Sequence, residues 1–251
     1  MTSLDHRSTT TGPWQSEPAR LARAARSILA CPAGVNLVVD GVEDVLGDLG
    51  ESGGELGMQD LGGVPTFSSP VGTRLAAAAA DGRRALLTLE SGVGRPGSTE
   101  REAVVTLGGR LETRGLETCE CCCDERETLV LVVDLVVLSQ PTAPGDGRQR
   151  VPVEHFRSAE HLLNGGYLQR STEHANLCHQ DELRRAVSTT TGTRLADVIG
   201  VALAGLSPAG VDVQWVDVEG SHVHRLVFRR VASTTEELGE LLRTELHAGL
   251  C

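Results

Sequence analysis

The 251-residue chain contains no lysine, so all 23 of its basic side chains are arginines. Enzymes that use a lysine Schiff base or a P-loop lysine are therefore excluded. Any anionic ligand must be held by guanidinium or backbone N–H groups. The 34 acidic residues give a formal net charge of −11, which repels nucleic-acid phosphates and anionic lipid headgroups. We expect neither nucleic acid nor a membrane as a partner.

Aromatic residues are also scarce, with two tryptophans, one tyrosine and three phenylalanines in the whole chain. The core must therefore be built from leucine, valine and alanine, and a ligand that needs stacking finds few rings. No apolar run reaches the roughly 20 residues of a transmembrane helix, and the N-terminal segment lacks the apolar stretch of a secretory signal. We expect a cytoplasmic protein with reduced thiols.

Four of the seven cysteines are crowded into the segment Cys119–Cys123. An odd number of cysteines with this spacing is not a disulfide framework. Four thiolates can bind zinc or an iron–sulfur cluster, but structural zinc sites normally take pairs of cysteines from two separate segments. Adjacent residues on a strand also point to opposite faces. We interpret the segment as a loop of incidental thiols and predict no metal site.

The apolar pattern divides the chain into two structured parts and predicts an α+β fold. Residues 1–16 are polar and without periodicity, which is typical of a disordered tail. Residues 17–139 begin with an amphipathic helix and continue with short apolar runs between glycines, which predicts an antiparallel split β-barrel. Residues 140–152 are rich in proline and glycine and are predicted to be a linker. Residues 153–251 are predicted to form an α+β domain with a three-stranded antiparallel sheet.

The individual elements follow from the same pattern. In the barrel we predict strands at 34–40, 63–69, 85–89, 103–111 and 128–138, a helix at 73–80 and a long loop over 46–61. In the second domain we predict helices at 153–163 and 166–187, strands at 197–204, 211–219 and 221–229, and a helix at 234–247. The last helix follows a capping-box pattern from Ser233 to Glu236.

Histidines are the main candidates for ligand binding. His222 and His224 lie two apart on a predicted strand, so both project from one face and could jointly meet a metal or an anion. The alternative is an exposed sheet face with solvated histidines. His174 lies on the polar side of the predicted long helix, so we expect it at a functional or interface surface and not in the core, the alternative being a solvated surface histidine without a role. His179, five residues later, does not share its helical face, so we do not expect the two to act as a pair.

Four segments of the second half, YLQRSTEHANL, AGLSPAGVDV, HRLVFRRV and EELGELL, resemble the C-terminal module of the HugZ/HutZ-like haem-utilisation proteins. In that family the module follows a split barrel related to the FMN-binding pyridoxamine 5'-phosphate oxidase fold. The resemblance implies a homodimer of split barrels that holds haem near the subunit interface.

The resemblance also implies a ligand residue. His174 matches the second histidine of the family motif and is the implied haem ligand. Gln169 stands at the first histidine position, and Glu173 and Asn176 stand where the family has aspartates. Haem binding is therefore expected, whereas oxygenase activity does not follow.

Three functions remain open at this point. The first is haem binding through His174, with His224 and His222 as further candidates on strand geometry alone. The second is a flavin- or deazaflavin-dependent oxidoreductase with FMN on the same barrel, although the stretch Arg83–Thr88 is only a distant match to the flavin-phosphate strand of the oxidases. The third is a non-catalytic dimeric interaction module.

Overall fold

The computed structural model describes residues 17–45, 47, 57–118, 125–141 and 147–248. Residues 247 and 248 are described by their backbone alone. The predicted tail, most of the predicted loop over 46–61 and the Cys119–Cys123 segment lie outside the described residues. Among the described residues, no helix combines the length and the apolar character needed to cross a membrane.

The first unit is a curled antiparallel sheet of seven strands that forms a half-barrel. Its strand order is β1-β4-β5-β6-β3-β2, and β7 pairs with β6. Its elements are α1 (Glu17–Ala30), β1 (Pro32–Val39), β2 (Met58–Asp60), β3 (Pro65–Pro70), α2 (Arg74–Ala80), β4 (Arg84–Ser91), β5 (Val104–Thr118), β6 (Glu125–Ser139), β7 (Arg148–Arg150) and α3 (Val153–Phe156). The expected barrel strands and both helices are therefore present.

Helix α1 covers the core of this half-barrel. Leu21, Ala25, Ile28 and Leu29 are buried at i, i+4, i+7 and i+8, which is one face of a helix. They join a cluster of leucines and valines from the sheet, so the core is aliphatic, as the composition requires. Full burial of each such leucine or isoleucine side chain contributes roughly 1.5–3 kcal/mol.

The second unit packs three helices on a three-stranded antiparallel sheet of order β10-β9-β8. Its elements are α4 (Gly165–Cys178), α5 (Gln180–Thr191), β8 (Gly200–Ser207), β9 (Gly210–Asp217), β10 (Gly220–Val227) and α6 (Thr235–Ala248). Its aliphatic core is separate from that of the barrel and includes Leu183, Val187 and Leu238. The α+β fold with two sheets is confirmed.

Helix α4 connects the two units. Its N-terminal end packs on α1, where Gly166 lies so close that a Cβ atom there would stand 1.8 Å from the carbonyl oxygen of Ser27. Gln169 donates from Nε2 to the carbonyl of Gly92 and accepts from the N–H of Gly94. The C-terminal half of α4 packs on β8. One helix therefore fixes the three-stranded sheet to the half-barrel.

The side chain of Asn176 on α4 pairs with the edge of β8 as another strand would. Its Oδ1 accepts from the N–H of Leu203 at 2.7 Å, and its Nδ2 donates to the carbonyl of the same residue at 2.9 Å. Gln180 adds a donor to the carbonyl of Val201 at 2.8 Å. These contacts satisfy backbone groups that an edge strand otherwise leaves open.

Several predicted boundaries are wrong. The predicted linker 140–152 contains β7, which pairs with β6, so this part belongs to the sheet. The predicted loop over 46–61 contains β2. The predicted helix 153–163 is a short α3 followed by a 3₁₀ turn at Ala159–His161. The division into two domains at the linker stays a prediction.

The predicted capping box of the last helix is shifted by one residue. Thr234 Oγ1 accepts from the N–H of Glu237, and the Glu237 carboxylate accepts from both the N–H and the hydroxyl of Ser233. The Ser233 hydroxyl, its N–H and Arg230 lower the pKa of Glu237 to about 2. The pattern begins at Thr234 because either of two adjacent residues can supply the capping hydroxyl.

Candidate functional site

Two histidines, His174 near the end of α4 and His179 between α4 and α5, lie in direct contact. Their Nε2 atoms are 3.3 Å apart, and their rings meet edge to face with centroids 5.1 Å apart. In a continuous helix, residues five apart point roughly 140° apart around the axis. The predicted helix 166–187 is broken at His179, whose φ of −118° and ψ of 27° lie outside the helical range. The expectation that the two rings point apart is therefore wrong.

Glu182 in the first turn of α5 orients His179. Its Oε2 atom lies 2.6 Å from Nδ1 of His179. An ionised carboxylate can only accept, so neutral His179 donates its Nδ1 proton and carries its lone pair on Nε2. That lone pair faces Nε2 of His174 at 3.3 Å, and the Nδ1-protonated or Nε2-protonated form of His174 decides whether this atom accepts or donates. Glu182 therefore sets both the tautomer and the direction of His179.

The histidine pair lines an apolar cleft of about 300 Å³ between α4, α5, α6 and β8. The apolar residues of its wall are Ala175, Leu183, Ala186, Leu203, Leu242 and Leu246, and the polar ones besides the histidines include Ser171, Glu182 and Arg243. Small-molecule sites have this composition, an apolar wall with a few polar groups that fix orientation. His174 itself is exposed, as expected.

His222 and His224 lie on the edge strand β10, and neither lines this cleft. The ring of His222 stacks on Trp215 with centroids 5.0 Å apart, and its Nε2 lies 2.9 Å from Oδ1 of the buried Asp217. His224 is exposed and pairs across the sheet with Val213. The Nε2 atom of His222 is therefore engaged in a contact within the hairpin.

A second cavity, of about 800 Å³, lies at the barrel edge formed by β2, β3 and β6. Two guanidinium groups reach it, those of Arg126 from β6 and Arg170 from α4. Arg126 donates to the hydroxyl and to the carbonyl of Ser68, each at 2.8 Å. The lining also includes hydroxyl and amide side chains such as Gln59, Thr66 and Thr128, the carboxylate of Glu117, and apolar residues such as Phe67. The two guanidinium groups are the donors that an anionic group needs.

Close to α1, the chain buries a group of ionisable residues. Arg26 is almost fully buried, donates to the carbonyl of Phe156 at 3.1 Å and lies over the ring of that residue. Burial raises the pKa of Asp60, which the charge of Arg26 opposes. Burial, and next the charge of Arg26, lower the pKa of His161. In the structure described, both ring nitrogens of His161 lack a hydrogen-bond partner.

No known family model and no curated protein matches the chain. Solved structures to which the chain is similar include a haem-binding protein from Mycobacterium smegmatis, at 19% identity and a TM-score of 0.38, covering 92% of this chain and 97% of that one. Another is a protein of unknown function from Agrobacterium tumefaciens, at 16% identity and a TM-score of 0.38, covering 94% and 99%.

Sequence reasoning missed His179 and Glu182 as parts of the site. No usual helix-start signal marks the break between α4 and α5, because the cap position is His179, which makes no side-chain capping hydrogen bond and is not among the preferred N-cap residues. Arg243 could not have been found, because only the packing of α6 beside α5 brings it to the cleft.

Proposed function

We propose that the protein binds haem at the cleft between α4, α5 and α6, where His174 would be the residue that holds the iron. The observation that carries this proposal is the exposed imidazole of His174 at the wall of an apolar cleft. The resemblance in the second half of the sequence points to the same residue. His222 and His224 stay alternative ligand candidates on β10.

The residues of the cleft fit the chemical parts of haem. An imidazole suits the iron, aliphatic side chains suit the macrocycle, and the guanidinium of Arg243 suits a propionate. The volume of about 300 Å³ is at the lower end of small-molecule sites, so the cleft can hold part of a macrocycle. The remainder would need cover from a second subunit, as in the dimer that the resemblance implies.

The iron of a bound haem supplies the capacity to bind a diatomic ligand or to change oxidation state. The chain itself holds His174 against His179, and the hydrogen bond between His179 and Glu182 orients the ring of His179. Both rings are then fixed before a ligand arrives, which lowers the entropy lost on binding.

Titration of the purified protein with haemin tests this proposal. We expect a Soret band in the wild type that shifts or is lost in His174→Gln, with His155→Gln as the control histidine variant. A change in affinity below about threefold, worth roughly 0.65 kcal/mol, would contradict the role of His174. Loss of the Soret band in His224→Ala or His222→Ala, and not in His174→Gln, would show that the histidine that binds the iron lies on β10.

We also propose that the protein is cytoplasmic and forms a homodimer through the half-barrel. A curled sheet of this size leaves a face that pairing about a two-fold axis can cover. Light scattering at micromolar concentration should give twice the mass of the chain. A strictly monomeric mass would overturn the dimer and would leave the cleft without a second subunit to complete it.

The cavity at the barrel edge favours a second candidate, a flavin-dependent oxidoreductase. Its volume of about 800 Å³ suits a cofactor, and Arg126 and Arg170 can pair with a phosphate such as that of FMN. FMN fluorescence should be quenched on titration, and Arg126→Gln with Arg170→Gln should weaken binding. If neither FMN nor haemin binds, the non-catalytic interaction module is the function that remains.

A further inference from the structure

We propose that His174 and His179 together form a site for a divalent first-row transition metal ion, with Glu182 as the carboxylate that orients His179. This inference does not rest on haem binding. It follows from the contact between two side chains that the break between α4 and α5 brings together.

The distance between the two nitrogens matches the geometry of a shared metal ion. Each nitrogen ligand of Zn²⁺ lies about 2.0–2.1 Å from the metal, so two ligands at the tetrahedral angle stand roughly 3.3–3.4 Å apart. The Nε2 atoms of His174 and His179 are 3.3 Å apart. A metal ion can therefore join them with little movement of either helix.

Glu182 provides the outer support that metal-bound histidines usually have. A ligating histidine almost always donates its other ring N–H to a carboxylate, a carbonyl or water. His179 does so to Glu182 at 2.6 Å, so its Nε2 lone pair is already directed at the place between the two rings. His174 needs only to carry its proton on Nδ1, which its exposed position allows.

The protein supplies two ligands in this arrangement, and water or a small anion completes the coordination sphere. Among the described residues, no third histidine, cysteine or carboxylate joins the pair to make a group of three metal ligands. Open positions of this kind are typical of sites where the metal meets an exogenous ligand. Imidazole nitrogen favours Zn²⁺, Cu²⁺ and Ni²⁺ over Mg²⁺ or Ca²⁺, so the last two are not expected to bind.

Calorimetric titration with Zn²⁺ tests the site, and Co²⁺ absorption reports its geometry. The protein used is the full chain with the four cysteines of Cys119–Cys123 and the exposed Cys178 changed to serine, so that these thiols do not compete. We expect one Zn²⁺ per chain, loss of binding in His174→Ala and in His179→Ala, and a loss of about 10–100-fold in affinity in Glu182→Gln. His155→Ala changes a histidine of α3 that does not line the cleft, and this control should bind as the parent protein does.

The outcomes separate this inference from the haem proposal. Absence of Zn²⁺ binding in the parent protein overturns the site, and so does binding that persists in the His174→Ala, His179→Ala double variant. An unchanged circular dichroism spectrum and melting temperature of the variants show that they are folded. His179→Ala should lose Zn²⁺ but keep the Soret band that His174 gives, so either proposal can fail alone.

Discussion

Two neighbouring glycines of α4, Gly165 and Gly166, allow a test of how closely this helix packs on α1. A Cβ atom at Gly166 would stand 1.8 Å from the carbonyl oxygen of Ser27, whereas a Cβ atom at Gly165 would meet the Ser27 hydroxyl at an ordinary 3.6 Å. Gly166→Ala therefore requires α4 to move by roughly 1.5 Å, which typically costs about 1–3 kcal/mol. Gly165→Ala should be neutral or stabilising by up to about 1 kcal/mol, because alanine favours the helix.

Urea denaturation followed by circular dichroism measures both variants under the same conditions. We expect the midpoint of Gly166→Ala to fall and that of Gly165→Ala to stay or rise, with unchanged slopes. Movement of α4 should also disturb the hydrogen bonds of Gln169 to Gly92 and Gly94. Equal stability of the two variants, or a loss below about 0.5 kcal/mol in Gly166→Ala, would refute the close packing of these helices.

Three further predictions concern Asn176, His161 and the Cys119–Cys123 segment. Asn176→Ala should lower the free energy of unfolding by on the order of 2 kcal/mol, because it leaves the N–H and the carbonyl of Leu203 on β8 unpaired. As a control, the same change at the exposed Asn36 should alter this free energy by less than about 0.5 kcal/mol. Burial lowers the pKa of His161, so on acidification the unfolded state binds a proton at this residue before the folded state does, and the free energy of unfolding falls as pH drops below about 6.5. In denaturant titrations, His161→Leu should show a smaller decrease of this free energy between pH 7 and 5 than the wild type, and an equal decrease would contradict the prediction. Changing the four cysteines of Cys119–Cys123 to serine should leave the protein soluble and its metal content, measured by mass spectrometry, unchanged; bound zinc or iron that disappears would contradict that.

Most of the fold follows from short-range patterns. The face of α1, the alternation along the barrel strands and the hairpins of the second sheet all depend on residues within about 15 positions. The errors occur where a distant partner decides the structure. Strand β7 is only three residues long and exists because β6 offers an edge to it. No local pattern in the Pro- and Gly-rich segment 140–152 could show that.

The candidate site was predicted less completely than the fold. His174 was placed correctly at the surface by its polar flank, because exposure depends on the pattern of its own helix. Its partner His179 was missed because the long periodic stretch suggested one continuous helix. A single non-helical residue changes which side chains meet, and that change is set by the packing of α5 and α6 as well as by sequence.

The pairing of Asn176 with β8 also affects how the protein can associate when it is damaged. Of the two edge strands of the smaller sheet, β8 is covered by α4, and β10 has no strand on its outer side in the described part of the chain. An uncovered edge strand is a template for another chain, and the histidines and arginine of β10 oppose such growth. Detachment of α4 would uncover β8 as a second edge strand, and the sequence of β8, GVALAGLS, contains no charged residue. Local opening of one helix is therefore a route to aggregation of a protein whose core remains folded.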